Sequence, residues 1–181
     1  KKTLILDHKK SKVLREIAKP VPHKDFGTKR LGDILARMKA ALHEQEDGVA
    51  IAASQIGAGL RIFIVSGKAQ DMYRGKDKKL HTKINAEERE DMVFINPEIT
   101  KLSKRKKLME EGCLSVRWFY GQVNRHEKAY VKAYDESGKS VTVGASGLLA
   151  QIFQHEIDHL NGILFIDKAE NIRSLPPENN Q

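Results

Sequence analysis

Apolar and polar positions follow two periods along this chain. From Leu31 the apolar residues fall at Leu31, Ile34, Leu35, Met38 and Leu42, the three-to-four spacing of one helix face. The stripe predicts a helix to about Glu46, with Gly48 as its stop. A second stripe of Leu148, Leu149, Ile152, Phe153, Ile157 and Leu160 predicts a helix from near Ser146 to Asn161-Gly162. Short apolar runs predict strands at 3–6 and 61–65, and again at 92–95, 98–103, 127–134 and 139–143. The last two are joined by a turn at Glu136-Ser137-Gly138. Lys19-Pro20-Val21-Pro22 is expected to be extended, because proline disfavours helix in the residue before it. Residues 67–91 are polar, lysine-rich and weakly periodic, which marks a mobile surface insertion. Several short strands with two helices, not in regular alternation, read as an α+β fold. Its short antiparallel or mixed sheets pack around a central helix, in one domain over 1–168 with a polar tail at 169–181.

Composition narrows the class. A length of 181 residues with 40% hydrophobic and 31% charged positions can fill one core. A single cysteine excludes an internal disulfide, and with it a secreted disulfide scaffold; it also excludes a zinc ribbon or finger. No apolar run approaches the roughly 20 residues that cross a bilayer. Asp7, His8, Lys9 and Lys10 interrupt any signal-peptide core. A reducing, cytosol-like compartment is the expectation. The 32 Lys and Arg against 24 Asp and Glu give a net charge of +8. The positive charge gathers in runs at Lys9-Lys10-Ser11-Lys12, Lys76-Asp77-Lys78-Lys79 and Lys104-Arg105-Lys106-Lys107. Such runs suit phosphates, and equally suit solvated loop tips. With aromatics at 6% and none interleaved within these runs, specific nucleic-acid binding is not expected as the main role.

The second helix carries His155-Glu156-Ile157-Asp158-His159. Residues i and i+4 lie on one helix face, so His155 and His159 can point two imidazoles at one metal. Glu156 beside them can reach a water without being a ligand. The bland alternative is two surface histidines on an amphipathic helix, which the apolar character of this helix disfavours. A catalytic metal usually takes three protein ligands. Downstream, the short stretch after Gly162 holds no histidine, leaving Glu170 and Glu178 as candidates. Upstream, Cys113 in Glu111-Gly112-Cys113-Leu114-Ser115 offers a soft thiolate suited to Fe(II), Zn(II), Co(II) or Ni(II). A buried cysteine is also an ordinary small hydrophobe. The segment Gly48-Val49-Ala50-Ile51-Ala52-Ala53-Ser54-Gln55 permits close backbone approach and ends on an amide, or is simply a tightly packed loop.

Taken together, these three segments resemble the peptide deformylase family. The cysteine motif is complete at Glu111–Ser115 and the histidine motif at Gln154–Leu160. The glycine-alanine motif matches at Gly48, Ile51, Ala52, Ala53 and Gln55. Leu4–Asp7, Val123-x-Arg125 and Gly147–Ala150 also resemble family segments, so the likeness spans most of residues 3–168 and makes that span a catalytic domain. It implies that Cys113, His155 and His159 hold one divalent metal, ferrous iron in the family, with zinc, nickel and cobalt able to use the same ligands. Glu156 is then the acid/base, while Gln55 and the Leu114 N–H face the oxyanion. Gly48, Val49, Ala50 and Gly112 would meet the peptide, and Met109, Leu148 and Ile152 would wall the methionine pocket. Asp158 would pair with Arg125 behind the metal. The implied substrates are N-formylmethionyl nascent peptides, hydrolysed to formate and a free N-terminal Met in a bacterial-type cytoplasm, or less expectedly in an organelle. Ala50 stands where the family usually has Gly, and Arg117 where it often has Pro. Trp118-Phe119-Tyr120 is bulkier than usual, and the 67–91 insertion is not a usual feature. No long C-terminal helix is expected, so docking on the ribosome by that route is not expected and any ribosome contact would be transient. Two rivals remain from the residues alone: an HExxH metallopeptidase, and a basic RNA-binding module with a structural metal.

Overall fold

The structure, a computed structural model, describes residues 4–69 and 90–176. Among these residues, eight strands form two antiparallel sheets around two long α-helices, and residues 67–69 are helical as well. The strands are β1 (Ala50–Ala52), β2 (Ile62–Val65), β3 (Met92–Leu102), β4 (Lys106–Gly112), β5 (Phe119–His126), β6 (Lys128–Tyr134), β7 (Ser140–Ser146) and β8 (Glu170–Ser174). The larger sheet runs β1-β2-β3-β6-β7 and the smaller β4-β5-β8. The helices are α1 (Lys29–His43) and α2 (Gly147–Leu160).

Helix α1 forms because its stripe of Leu31, Leu35, Met38 and Leu42 buries against Ile51, Ile62, Ile64 and Ile95 of the larger sheet. The Thr28 side chain caps its first turn by accepting from the Leu31 N–H. It ends at His43, short of the expected Glu46, because no apolar residue extends the buried stripe beyond Leu42. Gly48 therefore does not stop the helix. It lets the following loop pass close: a Cβ there would lie 3.0 Å from Leu42 Cδ1 and 3.1 Å from the Leu42 carbonyl.

Helix α2 is buried on nearly every side, as befits the helix at the centre of the molecule. Leu149, Ile152, Phe153, Ile157 and Leu160 pack on the larger sheet. Phe153 meets the stacked pair Phe63 and Phe94, whose centroids are 4.6 Å apart. Towards the smaller sheet, Gln154 acts as a strand partner. Its Oε1 accepts from the His126 N–H at 3.0 Å and its Nε2 donates to the His126 carbonyl at 2.9 Å.

Four expectations change. Residues 4–6 form no strand; Leu6 makes one backbone bond, donating to the Gln55 carbonyl at 2.8 Å. The strands at 92–95 and 98–103 are one strand with a register shift between Ile95 and Glu98. There Asn96 takes a positive φ of 51° and its amide pairs with both backbone groups of Val21. Residues 170–174, expected in the polar tail, form β8 on β5. Strands β1, β4 and β5 were not expected from periodicity. Of the 67–91 segment, residues 70–89 lie outside the described residues. Its described ends are anchored: the Gly67 N–H donates to Asp91, whose other oxygen meets His43 at 2.8 Å, and Ala69 is in the core.

Candidate metal centre and cleft

Helix geometry puts His155 and His159 one turn apart, with ring centroids 5.0 Å from each other. Strand β4 ends at Gly112, and the turn after it delivers Cys113 to the same point. Cys113 Sγ lies 3.2 Å from His159 Nε2. Ligand atoms of Cys113, His155 and His159 all fall within 4.8 Å of one another. The thiol is held well below its usual pKa. Burial opposes this, but the adjacent His159 and His155 outweigh burial. His155 is correspondingly raised by Cys113 and Glu111 against its own burial. A thiolate and two imidazoles at this spacing fit a divalent transition metal, which would displace the imidazole proton.

Glu111 fixes the His155 ring. Burial disfavours its charge, yet hydrogen bonds from His155 and Arg125 bring its pKa down to about 2. An ionised carboxylate only accepts, so His155 Nδ1 donates to it at 2.9 Å and Nε2 is left to face Cys113. Arg125 grips both Glu111 oxygens, at 2.7 and 3.0 Å, and donates to Asp158 at 2.6 Å. Lys168 closes the far side of Asp158 at 2.8 Å. The pairing of Asp158 with Arg125 is thus present, and Glu111 is the central group that sequence reasoning gave no role. Alternation along β4 and β5 puts Glu111 and Arg125 on one sheet face, which is the signal that could have found it.

Gln55 is oriented by the same logic. The Ala52 N–H can only donate, so Gln55 turns Oε1 to it at 2.9 Å. Its NH2 then points at the cysteine turn, donating to Ser115 Oγ at 3.1 Å with Cys113 Sγ 3.6 Å away. The N-terminal segment straps these two loops together. Besides the Leu6 bond to Gln55, the His8 N–H donates to the Ser115 carbonyl at 3.0 Å. Glu156 is buried, and burial raises its pKa. Its Oε2 has no hydrogen-bond partner in the described structure. A buried carboxylate oxygen left over beside three metal-type donors is the arrangement expected of a group awaiting a proton from water.

These groups open into a cavity of about 330 Å³. Gly48, Val49, Ala50, Gln55, Gly112, Cys113, Leu114, Leu148, Ile152, His155 and Glu156 line it. Trp118, Phe119, Tyr120, Arg117 and Gln151 complete the walls together with Asp47, Glu110 and Glu111. Met109, expected at the methionine pocket, is half-buried on β4 opposite Val123 of β5, on the same strand face as Glu111. The cavity lies between two sheet edges: β1 ends the larger sheet and β4 the smaller. Gly112 has no room for a side chain, since a Cβ would sit 2.9 Å from the Tyr120 ring.

Known proteins resemble this chain over most of its length. A family model described as polypeptide deformylase matches residues 2–174. A peptide deformylase of Halothermothrix orenii is 41% identical over 161 residues, spanning 88% of this chain and 89% of its own. One of Bartonella quintana is 37% identical over 161 residues, spanning 89% and 81%. A Met-Ala-Ser-bound crystal structure of the class I type b peptide deformylase of Acinetobacter baumannii superposes with a TM-score of 0.74 at 34% identity, covering 91% of this chain and 97% of that one.

Proposed function

The chain belongs to the polypeptide deformylase family, and from that premise we propose which of its residues carry the reaction. The enzyme is a hydrolase that removes the formyl group from the N-terminal formylmethionine of nascent polypeptides, and the family is metal-dependent. The reading of its site rests on one observation: Cys113, His155 and His159 converge within 4.8 Å beside the unpartnered Glu156 oxygen.

Cys113, His155 and His159 would hold the divalent ion, which when bound supplies Lewis acidity to the attacking water and the formyl carbonyl. Ferrous iron is the ion we propose, a choice that the thiolate-imidazole set accommodates along with zinc, nickel and cobalt. Glu156 takes the proton from the water and returns it to the leaving amine; its raised pKa suits both halves of that task. The Gln55 NH2, aimed by Ala52, and the Leu114 N–H donate to the developing oxyanion. The peptide lies extended between the two sheet edges, meeting the backbones of Gly48 to Ala50 on one side and Gly112 on the other. Leu148 and Ile152 take the methionine side chain. The Ala50 methyl and the Trp118-Phe119-Tyr120 rings narrow the cleft, favouring the small formyl group over larger acyl groups. A bacterial-type cytoplasm and transient contact with ribosomes complete the reading.

Formate release from formyl-Met-Ala-Ser by anaerobically purified, metal-loaded protein tests it. The Glu156→Ala protein should lose at least a hundredfold in kcat while keeping its metal. Cys113→Ala should lose the metal. Metal retained in Cys113→Ala would point instead to an ordinary HExxH peptidase site.

A further inference from the structure

The outward face of the larger sheet, remote from the cleft, is strongly cationic. Lys128, Tyr130 and Lys132 alternate outward along β6 while Ala129, Val131 and Ala133 are buried. On β3 a register shift between Ile99 and Lys101 inserts Thr100 and sets Lys101 opposite Tyr130. Without that bulge, Lys101 would point to the core side with Ile99. On β7 the facing residues are Thr142, Gly144 and Ser146. Gly144 is required there. The Tyr130 ring lies over it so closely that a Cβ would be 2.7 Å from Cε1. The ring is thereby laid flat and held 40% exposed, with the Lys101 ammonium 5.8 Å from its centroid.

The cationic surface extends at both ends. At one end the basic run Lys104–Lys107 leads from β3 into β4. Ser103 ties it to β6, donating its N–H to the Lys128 carbonyl while its Oγ accepts from the Lys128 N–H, each at 3.0 Å. At the other end Lys132 borders a second cavity of about 390 Å³, walled also by Arg61, His23 and Asn96. The carboxylates on this surface are Glu98, the register partner of Lys132, and Glu127, engaged by Arg105 at 3.4 Å. Lys101, Lys128 and Lys132 make no ion pair with a described residue.

We propose that this face docks RNA, holding phosphates through Lys101, Lys128, Lys132 and the Lys104–Lys107 run and stacking one unpaired base on Tyr130. Unpaired cations on a sheet with a flattened, exposed aromatic ring among them form the elementary single-strand platform. The residues beside the β6 cations on β7 are Thr142, Gly144 and Ser146, a polar surround that suits a phosphate backbone better than lipid. The contact is independent of sequence, since no base-edge reader accompanies the ring. It goes beyond the hydrolytic reading and does not rest on it: none of these residues lines the cleft.

The test is fluorescence anisotropy of the metal-loaded enzyme with a labelled RNA hairpin bearing a single-stranded loop, across 50–200 mM salt. Affinity should fall steeply with salt. The triple variant Lys101→Glu, Lys128→Glu, Lys132→Glu should weaken it by tenfold or more and flatten the log–log salt slope by about 2. Tyr130→Ala should weaken loop RNA by about tenfold while leaving a blunt RNA duplex nearly unaffected. Formate release from formyl-Met-Ala-Ser should be unchanged in both variants, which confirms that they fold. Wild-type RNA affinity and slope in the triple variant would overturn the proposal. So would equal binding to a DNA duplex of the same length, or tighter binding to vesicles of anionic phospholipid than to RNA.

Discussion

Glu111 has the most consequential position of any single residue outside the ligand set. It is 5% exposed, accepts from His155 and forms a two-point pair with Arg125. Glu111→Gln keeps the shape but removes the charge that offsets the buried guanidinium. Stability should fall by about 3 kcal/mol, the usual cost of stranding one partner of a buried pair. Because His155 also loses its orienting acceptor, metal affinity should drop 10- to 100-fold. Urea denaturation and competition with a chromophoric chelator measure the two effects separately; loss of stability with unchanged metal affinity would show that Glu111 serves only Arg125. That His155 and His159 share a face beside Glu156 was legible in sequence because a helix makes i and i+4 adjacent without further information; that Cys113 meets them was not, since it came from the family resemblance. The role of Glu111 was not, because it depends on how β4 lies against α2. The face of Met109 was not legible either: a strand residue's face is settled by its partner strand, here Val123 on β5.

At the scale of elements, the two helices and strands β2, β3, β6 and β7 were readable because each carries either an alternating or striped apolar face or, as in β2, an unbroken buried apolar run. Strand β8 was not, since all five of its residues are exposed, and an edge strand without a buried face leaves no alternation to read. Strand β4 is mostly exposed and charged for the same reason. The chain reaches β8 through a short 3-10 turn, Phe165–Asp167, anchored by Asp167. Its carboxylate accepts from the Leu164 N–H and from Arg15, across 152 residues of sequence. Burial opposes the charge, but these hydrogen bonds hold its pKa below 3.8. A carboxylate with a lowered folded pKa stabilises the protein above its unfolded value, and that contribution is lost as pH falls through the folded value. Asp167→Asn should therefore destabilise the protein by about 1 kcal/mol or less at pH 7, given the exposure of the pair. The difference from wild type should shrink as pH drops below 3.8. Urea midpoints of the metal-free proteins at pH 7 and pH 3 check this; an equal difference at both would assign the effect to packing.

At the scale of the whole molecule, the proposed metal centre would also be a joint between the sheets. Cys113 hangs from the edge strand of the smaller sheet, whereas His155 and His159 belong to a helix packed on the larger one. An ion held by all three binds only the folded arrangement, so its affinity adds to folding stability. At a free concentration of 100 times Kd the gain is about 2.7 kcal/mol. For a chain of this size that corresponds to a rise of about 5–11 °C in Tm. Chelation should lower Tm by that amount, and readdition of the ion should restore it. Glu156→Ala should show the same dependence, because in the proposed reading Glu156 reaches the water and not the ion. Cys113→Ala should melt at one temperature with or without added metal, since two imidazoles on a single helix tie that helix to nothing else. A metal-dependent Tm surviving in Cys113→Ala would mean that the two histidines suffice to hold the ion, and that the single thiol of this chain does not join its two sheets.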